Sequence, residues 1–139
     1  VGVNLLFKLA GEVARALGSD YDIEIPETHH RFKKDAPSGT ALGLAQSICD
    51  ATGRNISGDV IHGRFGAQPR ETGEIGMHAI RLGDTIGEHS VHFGNLGETV
   101  TLSHSAHTRD TFVRGALRAA EWVAGRDPGL YTMLDVLGL

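Results

Sequence analysis

The sequence predicts an α+β domain, a mixed β-sheet of about four strands with helices packed on one face. Three observations predict it. Apolar residues recur at helical spacing near both ends of the chain and alternate at strand spacing between them, in the order helix, strand, helix, strands, helix. The length of 139 residues suits one hydrophobic core and leaves little for a second, so residues 1–139 read as one domain. Apolar content of 40% and charged content of 22% belong to a folded globular chain rather than a disordered one.

The first helix rests on Leu5, Leu9, Val13 and Leu17, four residues apart, with Leu6 beside them. Lys8, Glu12 and Arg15 fall off that stripe, and Gly18 supplies a stop. Tyr21 to Ile25 alternate as a strand, with Tyr21, Ile23 and Ile25 opposite Asp22 and Glu24. A polar loop, Pro26 to Pro37, leads to a second helix from about Ser38 to Thr52. Its buried stripe is Ala41, Leu44, Ala45 and Ile48, and Gly53 closes it. Gly63 to Gly73 reads as a long loop, a length that tends to accompany function or mobility. Glu74 to Leu82 is the next strand; Ile86 to Phe93 and Glu98 to Ala106 form a hairpin around Gly94-Asn95-Leu96-Gly97. The last helix, from about Asp110 to Ala124, should bury Phe112, Ala116, Ala120 and Val123 and expose Arg114, Arg118 and Glu121. Pro128 cannot continue it. In the last strand Val100, Leu102 and Ala106 share one face and Thr99, Thr101 and Ser103 the other, which leaves a mixed face for self-association.

The net charge of −4 gives no basic surface for nucleic acid or an anionic membrane. No apolar run approaches the ~20 residues needed to cross a bilayer. Cys49 is the single cysteine. It excludes an intrachain disulfide, fits a reducing cytoplasmic location, and reads as a small apolar residue inside a helix. The chain opens Val1-Gly2-Val3-Asn4 without a methionine and is expected to be a fragment or a processed piece.

Chemistry concentrates in Glu27-Thr28-His29-His30-Arg31-Phe32-Lys33-Lys34-Asp35-Ala36-Pro37-Ser38-Gly39-Thr40, between a strand end and a helix start. An imidazole titrates near pH ~6.5, so His29 can give or take a proton around neutrality. Arg31, Lys33 and Lys34 gather positive charge suited to an anion. Pro37-Ser38-Gly39-Thr40 opens a helix whose first amides have no partner, where Gly39 allows close approach and two hydroxyls stand by. A carboxylate is a natural guest. Each feature alone also has a structural explanation: a solvated histidine pair, an N-cap serine, an exposed basic run. Their coincidence within one segment favours a site. His29 and His30 diverge as neighbours, lack the i, i+4 spacing of a helical zinc pair, and sit among cations that repel a metal. His89 shares a strand face with Val91 and Phe93, and His104 one with Leu102 and Ala106, as hydrogen-bonded core residues do. No Gly-x-Gly-x-x-Gly turn, P-loop or Gly-x-Ser-x-Gly turn occurs.

The run from Glu27 to Ala41 resembles the signature of the 4-hydroxy-tetrahydrodipicolinate reductase family, also called dihydrodipicolinate reductases. Its pattern, E-x-H-H-x-x-K-x-D-A-P-S-G-T-A, is matched at every fixed position. Gly73-x-Ile75-Gly76, Arg81-x-Gly83-Asp84, Gly87-Glu88-His89 and Arg109-x-Thr111-Phe112 extend the resemblance along the whole chain. It implies the carboxyl-terminal half of a two-domain oxidoreductase of lysine and diaminopimelate biosynthesis. An amino-terminal Rossmann domain that binds NADPH or NADH would then lie outside this chain, and the piece alone would be inactive. The second domain would bind a dicarboxylate ring and build a homotetramer through its sheet. The resemblance makes His29 the proton donor, with Lys33 as the other candidate. It assigns His30, Lys33, Ser38, Gly39 and Thr40 to the two carboxylates and ring nitrogen of the substrate. Arg109 and Phe112 match positions near the cofactor. The tail from about 110 to 139 would pack on the nucleotide domain, leaving Tyr131, Met133, Leu134, Val136 and Leu137 as an apolar face without it. Two other readings of the residues are an anion-binding or oligomerisation module without turnover, and a metal-dependent hydrolase using the histidines.

Overall fold

A computed structural model describes all 139 residues. Helix α1 (Gly2–Leu17) ends in a 3₁₀ turn and is followed by β1 (Asp22–His29), α2 (Gly39–Thr52) and the single-turn α3 (Ile56–Asp59). Then come β2 (Val60–His62), β3 (Ile75–Arg81), β4 (Gly87–Asn95), β5 (Glu98–Ala106), α4 (Asp110–Val123) and α5 (Met133–Leu137). The sheet has five strands in the order β2-β3-β1-β4-β5, one more than the sequence pattern predicts. The extra strand is β2, whose three residues are too few to display an alternation. β1 pairs parallel with β3 and antiparallel with β4, so the sheet is mixed.

β1 runs past the expected end at Ile25 to His29. Pro26 prompts the early end, because proline cannot donate to a ladder. Pairing with β4 is indeed absent at Ile25 and Pro26, yet it resumes at Glu27↔His89 and Thr28↔Glu88. The parallel pairing with β3 continues through to His29↔Arg81. The stretch expected to begin a loop is the last part of the central strand.

One sheet face carries the core. Ile23, Ile25, Ile75, Val91 and Phe93 are fully buried against Leu44 and Ile48 of α2, with Cys49 beside them. On α1 the buried face is Leu6, Ala10, Gly11 and Ala14, rotated from the predicted stripe; Leu5 is exposed and Leu9, Val13 and Leu17 are half-buried. Close packing on α2 explains the rotation. A Cβ on Gly11 would lie 2.9 Å from the Ser47 carbonyl oxygen and 3.3 Å from Ala51, so only small residues fit that contact.

The opposite sheet face has no helix over it. Thr99, Thr101, Ser103 and Ser105 are exposed there, Ser90 and Ser103 share a 2.9 Å hydrogen bond, and His92 Nδ1 lies 2.9 Å from the Thr101 hydroxyl.

α4 also departs from expectation. Only Gly115 is buried, while Phe112 and Val123 are 48% and 44% exposed and Ala116 and Ala120 also face outward. The amphipathic pattern is real, but this chain places no surface against that stripe, and α4 touches mainly α5. The tail is less open than expected: α5 buries Val136 and half-buries Met133, Leu134 and Leu137, leaving Leu130 and Leu139 exposed. No helix is long and apolar enough to cross a membrane.

Candidate active site

Strand directions bring the chemistry to one end of the sheet. The C-terminal ends of the parallel pair β1 and β3 deliver Glu27, His29 and Arg81. The antiparallel neighbours bring Gly87 and His89 at the start of β4, and His104 and Ala106 at the end of β5. The N-terminus of α2 arrives at the same end with Ser38, Gly39 and Thr40. A cavity of about 340 Å³ opens there, lined by His29, His30, Lys33, Thr40, Gly87, His89, His104, Arg109 and Phe112, with Val3, Ile86 and Ala106.

Of the eight residues singled out in the sequence, six line this cavity: His29, His30, Lys33, Thr40, Arg109 and Phe112. Ser38 and Gly39 do not. Ser38 is 2% exposed. Its hydroxyl accepts from the Ala41 amide at 3.1 Å as the N-cap of α2 and lies 2.9 Å from His89 Nε2. Gly39 is exposed, and a side chain there would meet nothing within 4 Å. The first amides of α2, at Gly39 and Thr40, have no carbonyl inside the helix to bond.

Beneath the cavity lies a network of buried polar groups. Glu27 occupies the next inward position after Ile23 and Ile25 on β1 and is 1% exposed. Arg81 donates to both of its oxygens at 2.9 Å, the Ser38 amide donates at 3.0 Å, and His29 Nδ1 lies 2.6 Å from Oε2. Burial alone would push the Glu27 carboxyl upward. The bonds from Arg81, His29 and Ser38 outweigh it and hold the group below the usual carboxylate range, so it is ionised at neutral pH. Arg81 also donates to the Asp35 carbonyl at 2.8 Å, tying the loop that carries Lys33 to the strand that carries His29.

Lys33 is 19% exposed, and its ammonium bonds both oxygens of Asp35, at 2.9 and 2.8 Å. His89 is buried, its ring edge-on to His29 with centroids 5.0 Å apart. Burial, then the nearby His29, pushes its pKa down to about 4, so it is neutral at pH 7. Burial also lowers that of His104. Three imidazole nitrogens in the cavity wall, Nδ1 of His30, His89 and His104, are buried without a protein partner. A buried polar atom left unpaired is costly, so this wall favours a polar guest.

Five residues of this end received no site role from the sequence: Glu27, Arg81 and Gly87, together with His89 and His104, which were expected in the core but face the cavity, His104 half-buried and with its Nδ1 unpartnered. Glu27 did leave a signal, since it places a carboxylate where the alternation Ile23, Ile25 calls for an apolar side chain. Arg81 stands in the Arg81-x-Gly83-Asp84 stretch of the resemblance, but its pairing with Glu27 shows only in the parallel register.

Comparison with known proteins follows the same boundaries. A family profile described as dihydrodipicolinate reductase, C-terminus, matches residues 2–137. The chain is 56% identical over 139 residues to the 4-hydroxy-tetrahydrodipicolinate reductase of Syntrophus aciditrophicus, covering 99% of this chain and 52% of that protein. It is 54% identical to the enzyme of that name from Thiobacillus denitrificans, covering 100% of this chain and 52% of that protein. A solved structure, dipicolinate-bound dihydrodipicolinate reductase from Paenisporosarcina sp. TG-14, superposes with a TM-score of 0.73 at 28% identity, covering 96% of this chain and 50% of that one. The chain thus spans about half the length of the curated relatives it matches. With a match that runs from the second residue almost to the last and takes in the whole of the cavity, the chain belongs to the dihydrodipicolinate reductase family, as its carboxyl-terminal domain.

Proposed function

We propose that this chain carries the substrate site of a 4-hydroxy-tetrahydrodipicolinate reductase. The enzyme would transfer a hydride from NADPH or NADH to the dehydrated substrate ring, giving tetrahydrodipicolinate on the route to diaminopimelate and lysine. The observation that carries this reading is the convergence of Lys33, two histidines and the mouth of α2 on one ring-sized cavity.

In this reading Lys33 and the amides and hydroxyl at the start of α2 hold the two carboxylates, and His30 meets the ring nitrogen. Ser38 contributes chiefly by capping α2 and fixing His89, because its hydroxyl is already shared between them. The bound dinucleotide would supply the hydride. Arg109, an exposed cation, and Phe112, a half-exposed ring, suit its phosphates and its nicotinamide at the cavity wall. Hydride addition to the conjugated ring leaves an electron pair on a neighbouring ring atom. His29 gives the proton that quenches it, and Lys33, engaged with a carboxylate, stabilises the developing charge.

The remaining expectations belong to the same reading. A nucleotide-binding domain outside residues 1–139 would cover the exposed stripe of α4, a place suited to Phe112, Val113, Leu117 and Val123. The open hydroxyl-bearing sheet face is suited to pairing with other copies, in a cytoplasmic homotetramer. Light scattering of the full-length protein at micromolar concentration should give four chains per particle; a monomer would remove the sheet-pairing idea.

Calorimetry with pyridine-2,6-dicarboxylate, a flat dianion, tests the site in the full-length protein. Lys33→Ala should weaken binding by about 10²-fold, the worth of a charge-assisted bond. Thr40→Val should weaken it by about tenfold. Wild-type protein that ignores this dianion yet folds would overturn the assignment.

A further inference from the structure

We propose that Glu27, clamped by Arg81, is a positioning residue for His29: it holds the imidazole with its Nδ1 proton on the carboxylate and its Nε2 turned to the cavity. The inference rests on the reading that His29 supplies the proton, and it says what makes that histidine competent.

The geometry at Glu27 leaves one arrangement. An ionised carboxylate only accepts hydrogen bonds. Three donors are fixed on it: two from the Arg81 guanidinium, each 2.9 Å away, and the Ser38 amide at 3.0 Å. The fourth neighbour, His29 Nδ1 at 2.6 Å, must therefore carry a proton. That choice sends Nε2 away from the carboxylate, toward Gly87. A Cβ on Gly87 would stand 3.0 Å from Nε2 and 3.4 Å from the adjoining ring carbon, so the absent side chain is what leaves that nitrogen accessible in the cavity wall. The edge of His89, neutral and tied to Ser38, closes the remaining side of the ring.

Arg81 completes the device. Its bidentate fork prevents the carboxylate from rotating, and the fork is held in turn by the Ile80 and Asp35 carbonyls at 2.7 and 2.8 Å. During turnover Nε2 would release its proton to the ring, leaving a neutral imidazole whose Nδ1 proton stays on Glu27. Reprotonation at Nε2 restores the donor without any movement of the ring. Glu27 touches no substrate in this scheme; it acts only through His29.

The test is a double-mutant cycle in the full-length enzyme, comparing Glu27→Gln, His29→Ala and the pair with wild type. Glu27→Gln should lower kcat by about 10²-fold, since misdirecting the tautomer of a catalytic histidine is known to be costly. KM and the affinity for pyridine-2,6-dicarboxylate should stay within about threefold. In the His29→Ala background the same change should alter kcat less than about twofold, as expected for residues acting as a unit. An equal loss in both backgrounds, or unchanged kcat in Glu27→Gln, would overturn the positioning role alone. Unchanged kcat in His29→Ala would instead sink the underlying reading of His29. Should Glu27→Gln fail to fold, Arg81→Lys keeps a cation on the carboxylate but removes the fork. It should cost about tenfold in kcat, again only when His29 is present.

Discussion

His29→Ala in the full-length enzyme is expected to lower kcat by about 10²–10⁴-fold, the range for removal of a general acid. Steady-state kinetics with reduced nicotinamide dinucleotide gives the number. Affinity for pyridine-2,6-dicarboxylate should fall only a few-fold, because the proposed carboxylate anchors are Lys33 and the start of α2. The two measurements separate His29 from Lys33. A ring that mainly binds would weaken the dianion and spare kcat; a proton donor does the reverse. Should Lys33→Ala cut kcat with binding intact while His29→Ala weakens binding and spares kcat, the two roles would have to be exchanged.

Arg81→Ala is expected to destabilise the fold by about 3–5 kcal/mol, the usual cost of removing one partner of a buried ion pair. The size follows from Glu27, which is 1% exposed and would keep only His29 and one amide as donors. The effect should depend on pH in a fixed direction. Glu27 has a lowered pKa in the folded chain, so its contribution is complete above its ordinary value of 4.5 and is lost as pH falls through the folded one. Without Arg81 the folded pKa rises and that contribution shrinks. The gap between variant and wild type should therefore be widest near pH 7 and narrow as pH drops below about 4.5, where protonation removes the unpaired charge. Urea unfolding at several pH values measures it; a gap that widens on acidification would contradict the account.

Local signals made much of this legible in advance. The segment from His29 to Thr40 advertised its chemistry because one short stretch combined imidazoles, cations and a helix start. β5 is readable because Thr99, Thr101 and Ser103 alternate with Val100 and Leu102, and the hairpin turn because Gly94-Asn95-Leu96-Gly97 separates two such runs. The rest depended on contacts that no local pattern encodes. Pro26 suggests a strand end, but the unbroken ladder with β3 carries β1 onward to His29, with β4 pairing resuming at Glu27 and Thr28. Four-residue spacing puts the α1 stripe on Leu5, Leu9, Val13 and Leu17, whereas packing on α2 buries the small residues Ala10, Gly11 and Ala14 beside Leu6. The pattern of α4 predicts a buried face at Phe112, Ala116, Ala120 and Val123, but amphipathicity reports that a helix face wants covering, not where the cover is. Arg81 lies 54 residues from Glu27, so their pairing is a property of strand register alone.

The pairing of Lys33 with Asp35 bears on which anions this cavity would select. An arriving carboxylate meets an ammonium that already bonds both Asp35 oxygens, with a third N–H left to donate, so loosening that pair offsets part of the gain. A ligand with a single acidic group has only that one shared anchor. A ligand with a second acidic group also reaches the amides of Gly39 and Thr40, which have no carbonyl inside the helix to bond. Discrimination by charge number would thus arise from an internal rival at one anchor and an idle anchor opposite.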